Sequence, residues 1–220
     1  MAINFGDALF NIVWNVIIKS GLSKEEMLII NKTFNEVVEG QHIELTLVKE
    51  ENFDMSYETY FELASKKTGA LIALCFALPF YEKDKKTFSV VYKKVKKLGL
   101  AFQIIDDVLN LTGDFEKYKK KIGEDITEGK RTLVVIHALK QLPKKEAEEL
   151  KEILKKHTKE EKEIKRALEL IKKSDSINYA KRIAEKLIKN NINVFDKYFP
   201  DSKEKELLIE IVNKFIQRES

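Results

Sequence analysis

The stretch LGLAFQIIDDVLNLTGD, Leu98 to Asp114, decides the fold. At about 100° per residue, Val91, Val95, Leu98, Phe102, Ile105 and Leu109 fall in one apolar stripe. Leu100, Ala101, Ile104 and Val108 make the remaining sides apolar, and a helix apolar nearly all round is a buried one. Gln103, Asp106, Asp107 and Asn110 interrupt it together, on an arc of about 100° at the same spacing. Gly99, one turn earlier on that arc, leaves room beside it. Two adjacent carboxylates in a buried helix are costly unless positive charge compensates them. Two readings stay open. Either the helix end reaches the surface and both acids are solvated, or the arc is a hard-cation site. Oxygen ligands at i and i+4 suit Mg²⁺ shared with substrate phosphates, and such sites recur in the cores of helical bundles.

The next segment, GDFEKYKKKIGEDITEGKRTL from Gly113, brings Lys120, Lys121 and Lys130 together with turn glycines and Asp125. Lysine is a good point-charge partner for phosphate, although a solvated basic loop reads the same way. Outward from there the spacing predicts about eight helices. The first runs from Phe5 to Lys19 and stops at Gly21. Ser23 with Glu26 forms a capping box that opens a long helix to Val48. Ser56 caps a third, running through Lys67 and Thr68 into an apolar stretch ending at Pro79. Asp84 opens the helix that contains the decisive stretch, to Leu111. Another spans Arg131 to Gln141, and polar amphipathic helices follow with breaks near His157, Ser174 and Pro200. All eight glycines lie at or before Gly129. Backbone that approaches a ligand needs glycine, so residues 1–140 read as site-bearing and 141–220 as a helical buttress within one domain.

Composition narrows the function classes. Apolar residues are 44% and charged residues 35% of 220, the balance of a soluble globular chain. Three prolines are too few for a sandwich or barrel. The apolar run from Gly69 to Phe80 falls short of the roughly 20 residues of a membrane span, and no signal peptide is visible. One cysteine, Cys75, reads as a small core hydrophobe in a reducing, cytoplasmic setting. Forty basic and 36 acidic residues are interleaved, and only four of the forty are Arg. That pattern is of solvated helix faces, not of nucleic-acid binding. His42, His137 and His157 have no ligand spacing. Trp14, with Phe10, Val13 and Ile17, reads as a helix face in a core or a dimer interface.

The segment FQIIDDVLN, then GD and IGEDITEGKRTLVVIHAL, resembles the second aspartate-rich region of the trans-isoprenyl diphosphate synthases, the polyprenyl synthetases. AINFGDAL at Ala2, GQHIEL at Gly40 and KTGAL at Lys67 resemble three further segments of that family, in its order. The resemblance covers about residues 2 to 140. It implies an all-α, isoprenoid-synthase-type bundle in which Mg²⁺ draws the diphosphate off an allylic substrate. The double bond of isopentenyl diphosphate then attacks the allylic cation, and a proton is lost. By motif, Asp106, Asp107 and Asn110 are implied metal ligands, and Gln103 a hydrogen-bonding group of the diphosphate site. Lys67, Lys130 and either Lys120 or Lys121 are implied ligands of the allylic diphosphate, with Thr68 and Gln41 at the reaction centre.

Departures accompany the likeness. Asn110 stands where the motif ends in Asp, and Glu44 where the GQ segment has Asp. The family's first motif, DDxxD with an arginine pair, belongs upstream of AINFGD. Asp106-Asp107 is the only Asp-Asp pair here, and no Arg-Arg pair occurs. The expectation is therefore a bundle without the N-terminal helices, holding half of the metal site. It would act as the C-terminal part or subunit of a split or truncated synthase, as a homo-oligomer or with a chain carrying the first motif. A non-catalytic regulatory subunit is the alternative.

Overall fold

A computed structural model describes residues 1–112 and 123–216, with the side chains of 215 and 216 excepted. Among the described residues there are twelve α-helices and no strand. They are α1 (Ala2–Lys19), α2 (Lys24–Lys49), α3 (Tyr57–Ala64), α4 (Ala70–Ala77), α5 (Lys85–Thr112) and α6 (Glu124–Thr127). Then follow α7 (Leu133–Gln141), α8 (Lys144–Lys155), α9 (Glu161–Lys173), α10 (Ser176–Asn191), α11 (Val194–Tyr198) and α12 (Lys203–Ile216).

Local chemistry sets the boundaries. Ser23 Oγ accepts from Glu26 N–H at 3.2 Å, and Glu26 Oε2 accepts from Ser23 N–H at 2.9 Å, completing the capping box that opens α2. Ser56 caps α3 and Thr132 caps α7. Asp84 accepts from the N–H groups of Lys86 and Thr87 at the start of α5. Gly21, at φ +76°, turns the chain between α1 and α2. The expected third helix is one helical run from Tyr57 to Phe80, but a π turn at Ser65–Gly69 divides it and Leu78–Phe80 closes it as 3₁₀. The C-terminal region breaks once more than expected, at Ile192 and Asn193 between α10 and α11.

Helix α5 is the axis. Val91, Ala101 and Ile104 are fully buried, and Val95 and Val108 nearly so. It packs on α4 and on α10 along most of its length, with α7, α11 and α12 completing its surround. His137 of α7 stacks on Tyr179 of α10 at 3.9 Å, and its Nδ1 lies 2.8 Å from Ser176 Oγ, pinning those two helices together. The run Tyr57–Phe80 is 24 residues with mean hydropathy 1.3, long and apolar enough to cross a bilayer by length and composition alone. The apolar run read from sequence was shorter because it began at Gly69. In the fold, Ala64, Ala70, Ala73 and Ala77 of this run are fully buried in the bundle.

Two expectations change. Cys75 is exposed, not in the core, because α4 turns Ala73, Leu74 and Ala77 inward and Leu71 and Cys75 outward. Trp14 is half-buried on a helix with no buried residue at all. It and Phe10 meet only Phe34 of α2, at ring separations of 5.8 and 5.7 Å.

Candidate active site

Three backbones converge where α2, the π turn and α5 cross. A Cβ on Gly40 would stand 2.5 Å from the backbone nitrogen of Lys67, and one on Gly99 would stand 2.6 Å from the Cα of Gly69. No other residue allows that approach, so these two glycines set how closely the helices meet. The π turn lies at the crossing and carries Lys66, Lys67 and Thr68. Single π turns inside α-helices are often found at functional sites.

A cavity of about 80 Å³ opens beside this crossing, walled by Glu44, Lys67, Gln103, Asp106, Asp125 and Lys130 among others. That is room for several waters or a hydrated ion. Asp107 and Asn110 also line it, at 6% and 8% exposure, while Asp106 is half-buried. The decisive arc of α5 is therefore neither a solvated helix end nor closed core. It forms one wall of a cleft. Thr68 joins it through a hydrogen bond from Oγ1 to Gln103 Oε1 at 2.6 Å. Gln41 is half-buried on α2 and does not line the cavity. Lys120 and Lys121 lie outside the described residues.

Each lysine of the cleft already holds a carboxylate. Lys67 Nζ donates to Glu44 Oε2 at 2.5 Å, so the departure from Asp at position 44 supplies a carboxylate long enough to reach it. Lys130 Nζ pairs with Asp125 at 2.8 Å and Glu128 at 2.7 Å. Burial works against the charge of Lys130, but the hydrogen bonds from Asp125 and Glu128 outweigh it and hold the ammonium above the usual lysine range. Asp107 accepts from Tyr60 Oη at 2.6 Å and from Gln103 Nε2 at 2.8 Å. Burial, then repulsion from Asp125, pushes its carboxyl up to about 7 against those two hydrogen bonds. Asp125 is also raised, by burial first, with Lys130 opposing and Asp106 adding repulsion. Asn110 Oδ1 accepts from the N–H of Asp125 at 3.0 Å, and its backbone carbonyl accepts from Gly123 N–H, so it ties the loop to α5.

The mutual repulsion of Asp106, Asp107 and Asp125 marks a site with more negative charge than its own lysines neutralise. Carboxylate and amide oxygens are the donors a hard divalent cation takes. Among the described residues no group of three or more His, Cys, Asp or Glu side chains converges on one point. The donor chemistry fits such an ion held from one side, with Asp106 as the carboxylate on the cleft wall.

Two residues of the cleft escaped the sequence reading. Tyr60, 2% exposed, lies seven residues before Lys67, two helical turns back on the same face, and that spacing was the available signal. Arg131, 6% exposed, donates to the carbonyls of Asn52 and Gly129, with its guanidinium 4.0 Å from the centre of the Phe53 ring. It fastens the α2–α3 loop to the segment bearing Lys130, an anchoring that its position next to Lys130 alone does not reveal.

The fold is that of the all-α isoprenoid synthases. The chain superposes on a geranylgeranyl pyrophosphate synthetase from Pyrococcus horikoshii with a TM-score of 0.83 at 30% identity, covering 97% of this chain and 66% of that one. It superposes on a Caulobacter crescentus polyprenyl synthase, crystallised with calcium and isoprenyl diphosphate, with a TM-score of 0.86 at 25% identity, covering 98% and 65%. The polyprenyl synthetase profile matches residues 1–171, and the chain belongs to that family. A short chain isoprenyl diphosphate synthase of Methanocaldococcus jannaschii is 39% identical over 186 residues, 82% of this chain but 55% of that protein. The chain thus spans little more than half the length of this relative.

Proposed function

We propose that this chain forms the diphosphate-binding wall of a prenyltransferase that joins isopentenyl diphosphate to an allylic diphosphate. The observation that carries the reading is the meeting of Asp106, Gln103 and Asn110 of α5 with Lys67 and Lys130 in one cleft. It is supported by family membership and by the Caulobacter relative, which binds an isoprenyl diphosphate and a divalent ion.

In this reading the lysines exchange partners. Lys67 leaves Glu44, and Lys130 shares itself between Asp125 and the diphosphate, each trading a carboxylate for phosphate oxygens that carry more charge. Gln103, fixed at both ends of its amide, presents an oriented dipole beside the scissile C–O bond. As that bond breaks, its electron pair leaves with the diphosphate, and the fixed charges of the wall stabilise what develops there. The isopentenyl double bond supplies the electrons of the new C–C bond, and the proton then lost passes to the released diphosphate. Asp106, with oxygens of Asn110 or Asp107, would hold Mg²⁺, whose Lewis acidity neutralises the leaving group.

Neither a second Asp-Asp pair nor an Arg-Arg pair occurs in these 220 residues. The opposing wall therefore comes from a segment bearing the first aspartate-rich motif, on the same polypeptide or on a separate one. The test mixes this chain with such a segment, Mg²⁺, isopentenyl diphosphate and dimethylallyl or farnesyl diphosphate. Product is expected from the mixture and little from this chain alone. Asp106→Ala in the mixture lowers the rate at least ~100-fold, the scale of one preorganised electrostatic contact. An unchanged rate makes the chain a non-catalytic scaffold or regulator.

A further inference from the structure

A chain of hydrogen bonds runs behind the cleft wall, and its first member belongs to none of the motifs. Tyr60 Oη donates to Asp107 Oδ2 at 2.6 Å, Gln103 Nε2 donates to Asp107 Oδ1 at 2.8 Å, and Thr68 Oγ1 donates to Gln103 Oε1 at 2.6 Å. Three separate segments are joined this way: α3 through Tyr60, the π turn through Thr68 and α5 through the other two. Tyr60 and Asp107 are 2% and 6% exposed, so bulk water cannot replace a missing partner without entering the core.

The chain also has a direction. An amide reads nearly the same either way round, and only its neighbours select the orientation. Asp107 offers acceptor oxygens, which draws the NH₂ end of Gln103 toward it and leaves the carbonyl end for the Thr68 hydroxyl. That selection holds only while the Asp107 carboxyl is itself fixed. Tyr60 is the printed contact that fixes it from outside α5, since the Gln103 contact comes from one turn earlier on the same helix.

We propose that Tyr60 is a positioning residue of the diphosphate site: by clamping Asp107 it fixes the orientation of Gln103 and Thr68 on the cleft wall. Asp107 then serves chiefly as an anchor, and Asp106, its neighbour on α5, faces the ligand. The inference rests on the proposed diphosphate site but adds a claim that can fail separately.

Calorimetric titration of the chain with inorganic pyrophosphate and Mg²⁺ tests it. Wild type binds, Gln103→Ala binds more weakly, and Tyr60→Phe, which removes one oxygen, weakens binding about 10- to 100-fold, as loss of an outer-shell partner does. In the double variant the effect of Tyr60→Phe disappears, because its route through Gln103 is already cut. A purely structural role would lower the thermal midpoint of Tyr60→Phe and leave pyrophosphate binding intact, or give additive losses in the double variant. Either result overturns the proposal while leaving the diphosphate site standing. Absence of binding by wild type overturns both. Should Tyr60→Phe not fold, Asp107→Asn decides. Its amide can accept from Gln103 and donate to the phenol oxygen, so a smaller loss than that of Asp106→Asn supports the anchor. An equal or larger loss overturns it.

Discussion

Helices α1 and α5 are both patterned with apolar residues, and they end in opposite surroundings. On α5 the stripe through Val91, Val95 and Leu98 is at most 7% exposed. On α1 no residue is buried, and Ile3, Phe5, Leu9, Val16 and Ile18 each expose more than 60% of their surface. Leu28, Val38 and Leu45 extend the apolar surface along α2. A hydrophobic pattern therefore reports that a face is meant to be covered, but not by what. For α5 the cover lies within the described residues. For α1 only the Phe10–Trp14–Phe34 cluster supplies any. Large side chains gain about 1.5–3 kcal/mol each on burial, and contiguous exposed apolar patches beyond a few hundred Å² mark interaction surfaces.

The comparison can be broken most severely at its two glycines. Gly99→Ala drives a methyl group into the backbone of Gly69 and should destabilise the bundle by about 3 kcal/mol or more, read from denaturant unfolding. A loss below 1 kcal/mol would mean that α4 and α5 can separate without penalty. Next comes the exposed face. The pure chain should associate in analytical ultracentrifugation, and Leu9→Glu with Val16→Glu should shift it toward monomer with the helical circular dichroism intact. A well-behaved wild-type monomer would show that α1 needs no cover.

A third effect belongs to the α5 side alone. The folded pKa of Asp107, about 7, lies above the ordinary carboxyl value of 3.8. Between those values the folded protein holds a proton that the unfolded chain has released. Stability from this group is thus present at low pH and declines as pH rises toward 7. Asp107→Asn should flatten that part of the profile of thermal midpoint against pH, and an unchanged slope would place its origin elsewhere. The smallest effect is on α1. A Cβ on Gly6 meets nothing within 4 Å, so Gly6→Ala should stabilise that helix by up to about 1 kcal/mol, opposite in sign to the same change at Gly99.

What was legible follows from range. The capping box at Ser23 and Glu26, the buried helix through Leu98 and its polar arc are local patterns, and all stand in the structure. Cys75 misled because α4 is apolar on every side, leaving periodicity nothing to distinguish inside from outside. The pairing of Lys67 with Glu44 spans 23 residues, and that of Tyr60 with Asp107 spans 47. Such meetings are set by how helices cross, and in a chain this rich in Lys and Glu no local signal singles out the partners. Tyr60 reads as one more aromatic on an amphipathic helix until Asp107 is seen beneath it.

The π turn at Ser65–Gly69 bears on how this chain can tolerate change in length. A π turn accommodates one residue more than a regular helix would in the same span. Deleting a single residue there would let the run relax into unbroken α-helix without losing its backbone hydrogen bonds. Everything beyond would nevertheless rotate by about 100° against α3. Gly69 would swing off Gly99, and the small alanines that α4 now lays against α5 would give way to bulkier neighbours. The turn thus works as a phase setting between two halves of one rod. A deletion there would be silent to a measure of helix content and ruinous to packing, whereas the same deletion in the loop after α2 would leave that phase untouched.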